Sequence, residues 1–261
     1  MHTIIVSTII YDQIRLNAQF LDFIKSTENT SDISFVINLC FLKNDISQQS
    51  TRLIETLRQP NVHCWTCPSI SLAKSLNISK AIAKKIFEPS ILSFLEDDHV
   101  PSLVGINFLT KIIPMYTGNQ TDNGFRAGMF TLCDVHIGSE LIAWRELKND
   151  MLLSIPSPDS SQLRLGGCNN CFRSASVFFW DNIAGDYGED GYPISNYQTM
   201  QQAMVSYHKG YTPIYVSSKK EKLMYSYDDD GRGRGSKDPN PLKLWDKEFS
   251  RFDSRAKFRL G

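Results

Sequence analysis

The stretch Ile91-Leu92-Ser93-Phe94-Leu95-Glu96-Asp97-Asp98-His99-Val100-Pro101 runs five mostly apolar residues straight into three consecutive acids. A short apolar run closed by polar punctuation has the length of a buried strand. The acids therefore stand at that strand's carboxyl end. Three like charges in a row repel one another, and a cation relieves that repulsion. Oxygen ligands at this density suit Mg²⁺ or Mn²⁺. His99 follows directly and is a further candidate ligand. The alternative is that Asp97 or Asp98 caps a following helix.

Upstream, the chain alternates strand and helix patterns. Residues 3–10 (TIIVSTII) and 34–42 (SFVINLCFL) are continuous, largely apolar runs, as buried parallel strands require. Between them Leu16, Phe20, Leu21 and Ile24 recur at helical spacing and give way to the polar run Ser26 to Asp32. A helix is predicted over Ser47 to Leu57, a short strand over Val62 to Cys67, and a helix over Ser71 to Phe87, closed by Pro89. This order predicts an α/β fold: an open, mostly parallel sheet flanked by helices, with right-handed crossovers. Sheets of this kind bind ligands at their carboxyl edge, where the acids lie.

Downstream the pattern is less regular. Helices are predicted near Leu103 to Tyr116 and Ser195 to Lys209, and strands near Gly128 to Cys133 and Thr212 to Ser217. The stretch Asp228 to Asn240 (DDDGRGRGSKDPN) is charged and glycine-rich, as a loop would be.

The 261 residues fit a single α/β domain carrying insertions, and an apolar fraction of 41% supplies its core. With 28 basic and 28 acidic residues, no overall field favours nucleic acid or a membrane surface. The apolar run at residues 3–10 is too short to span a membrane, so no transmembrane segment is expected and a cytoplasmic location follows by default. The six cysteines read as reduced thiols. Cys64/Cys67 and Cys168/Cys171 have CxxC spacing, but the two pairs lie too far apart for the usual zinc ribbon.

At the acids the sequence resembles the glycosyltransferase family 2-like enzymes and their GT-A relatives, which end a strand in a DxD-like triplet. Leu95-Glu96-Asp97-Asp98 is similar to the EDD form of N-acetylglucosaminyltransferases of that fold. Ala73-Lys74-Ser75-Leu76-Asn77 resembles the A-x-x-x-N helix such enzymes place before the acidic strand. Gly166-Gly167-Cys168-Asn169-Asn170-Cys171-Phe172-Arg173 is similar to the family's glycine-rich segment followed by an aromatic residue and arginine. Tyr187-Gly188-Glu189-Asp190 resembles the ED pair that inverting members place before a helix. Capping, a turn or a surface position remains the plainer reading of each motif taken alone.

The resemblance implies a GT-A (nucleotide-diphospho-sugar transferase) domain over residues 1–217. Residues 218–261 would be a C-terminal loop and helix packing on or closing over the active site. It implies transfer of a sugar from a nucleotide-sugar donor to a glycan or other hydroxyl acceptor, with inversion, and a Mn²⁺ or Mg²⁺ cofactor. Asp98 would be the principal metal ligand, with Asp97 and His99 as further candidates. Glu96 and Asp97 would lie near the ribose and sugar. Asn77, Gly167, Asn169, Asn170, Arg232 and Arg234 complete the expected donor site. Asp190 is the expected general base, with Glu189 as its alternate. The competing readings are a nucleotidyltransferase of related fold and a non-catalytic nucleotide-sugar or glycan binder. The first strand is followed by Ile10-Tyr11-Asp12-Gln13-Ile14-Arg15, without the glycine-rich loop of nucleotidyltransferases or of dinucleotide-binding folds.

Overall fold

The structure is a computed structural model that describes residues 1–10, 18–30, 32–41, 51, 54–68, 72–97, 99–116, 126–133, 142–148, 150–156, 172–187, 206 and 209–226. Strand β1 (His2–Ile10) leads through helix α1 (Ala18–Ser26) to β2 (Ile33–Phe41), and β3 (Val62–Pro68) follows. Helix α2 (Leu72–Phe87) then returns the chain to β4 (Ile91–Leu95). These are the elements expected from the apolar runs, displaced by a residue or two at their ends.

β1 lies between β2 and β4 and is parallel to both, with His2 level with Ile33 on one side and Ile91 on the other. β3 extends the sheet beyond β2, also in parallel. Alternate residues of β1 serve two cores. Ile4 and Val6 pack with Phe20 and Ile24 of α1, whereas Ile5 packs with Ala73, Leu76 and Ala83 of α2. Burial on both faces is why these strands read as continuous apolar runs. The direction of travel along the sheet reverses between β3 and β4, and the connecting helix changes face with it, as right-handed crossovers require.

The second half adds β5 (His99–Pro101), α3 (Leu103–Tyr116), β6 (Arg126–Leu132), β7 (Ile142–Lys148), β8 (Met151–Pro156) and β9 (Phe172–Ser176). A short helix α4 (Val177–Phe179) runs into a π turn (Trp180–Ala184), and β10 (Tyr211–Ser218) and β11 (Met224–Ser226) follow. The large sheet has the order β3-β2-β1-β4-β9-β6-β10-β8-β7, and β11 pairs with β5 in a separate two-stranded sheet. Pairing directions make seven of the nine strands point one way; β9 and β8 run against them. The sheet is open and mostly parallel, with helices on both faces.

Sequence reading left β7, β8 and β9 unassigned. β7 and β8 form an antiparallel hairpin in which Lys148 faces Met151. Asp150 in its two-residue loop has φ 67°, a left-handed conformation that Asp tolerates. The stretch that reads as the end of a glycine-rich loop, Phe172 to Ser176, is an interior strand wedged between β4 and β6.

Candidate active site

Between β1 and β4 the strand order reverses, and the carboxyl ends of the two strands border the crevice where open α/β sheets take ligands. β4 delivers Glu96 and Asp97 to that edge. Glu96 is half-buried and Asp97 is buried, with 7% of its surface exposed. A carboxylate held out of water at this depth needs hydrogen bonds or a cation to compensate its lost hydration. The chain turns at once, His99 N donating to Glu96 O at 3.3 Å, and β5 begins. Glu96 and Asp97 do not cap α3. His99 to Pro101 intervenes as strand, and Ser102 Oγ accepts the Gly105 amide at 3.0 Å, which makes Ser102 the cap.

β11 lies antiparallel to β5 and puts Ser226 opposite His99. Chain beyond residue 217 thus returns to the strand that leaves the acid cluster. Ser102 N, donating to Leu223 O at 2.8 Å, extends the same contact.

Across from β4, Phe94 is in register with Arg173 of β9. Arg173 is buried, and its guanidinium sits 5.8 Å from the Phe94 ring and 5.7 Å from the Tyr187 ring. The Tyr187 ring meets Phe94 edge-on at 5.3 Å. Burial pushes the Tyr187 hydroxyl up to about 12; the Arg173 guanidinium beside it opposes that rise, and the Glu96 carboxylate adds to it. Arginine, tyrosine and glutamate are thus grouped around the end of β4. In the sequence the first two stood only inside the motifs Gly166 to Arg173 and Tyr187 to Asp190, with nothing to show that they meet.

Asn77 of α2 bonds the main chain of Tyr187 twice. Its Nδ2 donates to Tyr187 O at 2.9 Å, and its Oδ1 accepts from Tyr187 N at 2.8 Å. Two residues earlier on α2, Ser75 joins Ser7 of β1 and Asn38 of β2, its Oγ donating to Asn38 Oδ1 at 2.8 Å. Asn38 is fully buried, and an amide inside an otherwise apolar strand was its only sequence signal.

Of the expected site residues, Asn77, Glu96, Asp97 and His99 are described, and the His99 amide bonds back to Glu96 O at the sheet edge. Asp98, Gly167, Asn169, Asn170, Glu189, Asp190, Arg232 and Arg234 lie outside the described residues, as do Cys168 and Cys171. Among the described residues no three His, Cys, Asp or Glu side chains converge as a metal site. Cys64 and Cys67 both lie in β3, where three residues of extended chain separate their Cα atoms by roughly 10 Å. Burial pushes the Cys64 thiol up to about 11, the opposite of what a thiolate ligand needs. Among the described residues no helix is long and apolar enough to cross a membrane.

Sheet order, flanking helices and the acid-bearing switch point define a fold of the nucleotide-diphospho-sugar transferase (GT-A) type. No protein-family profile matches the chain, and no curated protein matches it. Solved structures do. Residues 1–349 of S. aureus TarS in complex with UDP-GlcNAc superpose with a TM-score of 0.59 at 10% identity, over 90% of this chain and 60% of that one. The mannosyltransferase PcManGT from Pyrobaculum calidifontis, in complex with GDP-Man and Mn²⁺, gives 0.57 at 14% identity, over 98% of this chain and 65% of that one. A further crystal structure of S. aureus TarS gives 0.53 at 9% identity, over 87% of this chain and 36% of that one. The chain thus spans between about a third and two thirds of the length of these structures. At such identities the likeness establishes the shared fold.

Proposed function

We propose that this protein is a divalent-cation-dependent glycosyltransferase that moves a sugar from a nucleotide-sugar donor to a hydroxyl of a glycan or other acceptor, with inversion. The observation that carries the reading is the delivery of Glu96 and Asp97 by β4 to the switch-point crevice. The fold around that crevice is shared with structures solved with UDP-GlcNAc and with GDP-Man and Mn²⁺.

In this reading Asp98, Asp97 and His99 hold Mn²⁺ or Mg²⁺, and Glu96 and Asp97 face the ribose and sugar. The cation, when bound, supplies positive charge to the diphosphate of the departing nucleotide. Gly167 lets main chain approach the donor, and the amides of Asn169 and Asn170 pair with its hydroxyls. Arg232 and Arg234 add charge-assisted hydrogen bonds to the diphosphate, a role supported by β11, which starts the tail beside His99. Asp190, or Glu189 in its place, accepts the acceptor proton as that oxygen attacks the anomeric carbon and the nucleoside diphosphate leaves.

The test is a panel of UDP- and GDP-sugars assayed for nucleoside diphosphate release with and without Mn²⁺. Cation-dependent release with one donor is expected. Pyrophosphate release would instead identify a nucleotidyltransferase, and binding of a donor without turnover a non-catalytic module.

A further inference from the structure

Helix α2 is bolted to one particular segment of the chain. Asn77, Lys80 and Lys84 follow at helical spacing and share a face. Asn77 holds the Tyr187 main chain at both its N–H and its C=O. Lys80, almost wholly buried, pairs with Asp186, and Lys84 Nζ meets Asp181 Oδ2 at 2.6 Å. All three anchors fall between Asp181 and Tyr187. The segment is tied from its other side as well, since Lys209 Nζ donates to Ile183 O at 2.7 Å.

A surface loop needs no such fastening. The Lys84–Asp181 pair, open to solvent at both ends, contributes little by itself because solvent screens it. The Asn77 pair is different: it is part-buried, and it joins residues 110 positions apart. It also fixes the backbone of the residue whose ring stands against Phe94 and Arg173 beside Glu96. Glu189 and Asp190 follow Tyr187 by two and three residues, so an extended chain keeps Asp190 Cα within about 11 Å of Tyr187 Cα.

We propose that Asn77 is a positioning residue for sugar transfer: by fixing the main chain of Tyr187 it sets the crevice wall beside Glu96 and the point from which the chain continues to the proposed base at Asp190. It therefore acts on turnover rather than on donor affinity. This inference rests on the glycosyltransferase reading, and it departs from the expectation that Asn77 binds the donor. One donor hydrogen and one acceptor site of its amide are already committed to Tyr187.

The experiment compares wild type with Asn77→Leu, Asn77→Asp and Asp186→Asn in the full chain. It measures kcat and donor KM by nucleoside diphosphate release at saturating acceptor, and amide exchange in peptides spanning residues 181–187. Asn77→Leu should lower kcat roughly 10- to 100-fold with donor KM within about 3-fold of wild type, and should speed exchange locally. Asn77→Asp keeps the acceptor for Tyr187 N–H and should recover part of kcat. Asp186→Asn removes the charge that pairs with the nearly buried Lys80 but keeps an amide oxygen to accept from it, and should show a smaller change of the same kind. A rise in donor KM with kcat unchanged would overturn the proposal by making Asn77 a donor contact. Unchanged exchange with unchanged kcat would overturn it as well. Wild-type protein that turns over no donor would sink the glycosyltransferase reading and the catalytic half of the inference, while the exchange arm alone would decide whether Asn77 holds Tyr187.

Discussion

In the proposed glycosyltransferase reading Asp98 and Asp190 serve different steps, so their substitutions should separate in the kinetics. Asp98→Ala is expected to abolish transfer and to remove metal-dependent nucleotide binding, because the cation would lose its principal oxygen ligand. Titrating a nucleoside diphosphate with and without Mn²⁺ reads this directly, and undiminished metal-dependent affinity would refute the assignment. Asp97→Ala should be milder in metal dependence if Asp97 faces the ribose or sugar. Asp190→Asn should cut kcat by roughly 10²- to 10⁴-fold while leaving donor affinity close to wild type, since an amide keeps the shape but takes no proton. If Glu189→Gln shows that loss and Asp190→Asn does not, the base moves by one residue. If both variants stay active, inversion through this pair is wrong.

At the scale of elements, the junction from β9 to Tyr187 depends on one unusual backbone. Ser176 Oγ accepts the Phe179 amide at 3.2 Å and starts α4, which widens into the π turn. Trp180 anchors that turn: it is fully buried, donates to Leu92 O at 2.9 Å and meets Phe94 edge-on at 4.9 Å. Gly185 ends it at φ 75°, ψ −165°, a region open almost only to glycine, with its N–H bonded to Trp180 O at 3.0 Å. There is open space around the place a Cβ would occupy, so the obstacle to other residues is backbone strain and not packing. Gly185→Ala should cost about 1–3 kcal/mol in urea unfolding. A loss well below that would mean the turn relaxes into another conformation.

Across the whole molecule, one buried base ties folding to pH. His2 is fully buried, with Nδ1 bonded to Thr110 Oγ1 at 3.0 Å and Nε2 to Ser93 Oγ, which in turn bonds Ser174 Oγ. The chain of contacts crosses α3, β1, β4 and β9. Burial lowers its pKa to about 3, from an ordinary value of 6.5, and the Met1 ammonium adds to the fall. Between those values the unfolded chain binds the proton and the folded chain does not. Stability is therefore complete above pH 6.5 and falls as pH drops toward 3, by at most ~1.4 kcal/mol per pH unit from this group. Urea midpoints at pH 6.5 and 5 should fall less in His2→Gln, which keeps a hydrogen-bonding side chain but does not titrate. Equal falls in the two proteins would show that His2 is not the group responsible.

The sequence by itself determined the first half of the sheet and the place of the acids. Both are local facts: a strand buried on two faces must be apolar along its length, and Glu96-Asp97-Asp98 follows β4 by covalent succession. The same locality explains α2 and α3, whose boundaries the apolar spacing and Pro89 foretold. Only the tertiary structure decided what gathers around those acids. Arg173 reaches Phe94 because β9 inserts beside β4, and Asn77 finds Tyr187 across 110 residues. β9 escaped notice because polar residues interrupt it and its partners β4 and β6 lie elsewhere in the chain, and the local β7–β8 hairpin escaped because its loop at Asp150 lacks the glycine that marks a two-residue turn. β11, three residues long, is a strand only because β5 supplies its hydrogen bonds. Local pattern records which faces are buried, whereas long-range pairing is recorded in no single stretch, and the walls of this crevice are built from the latter.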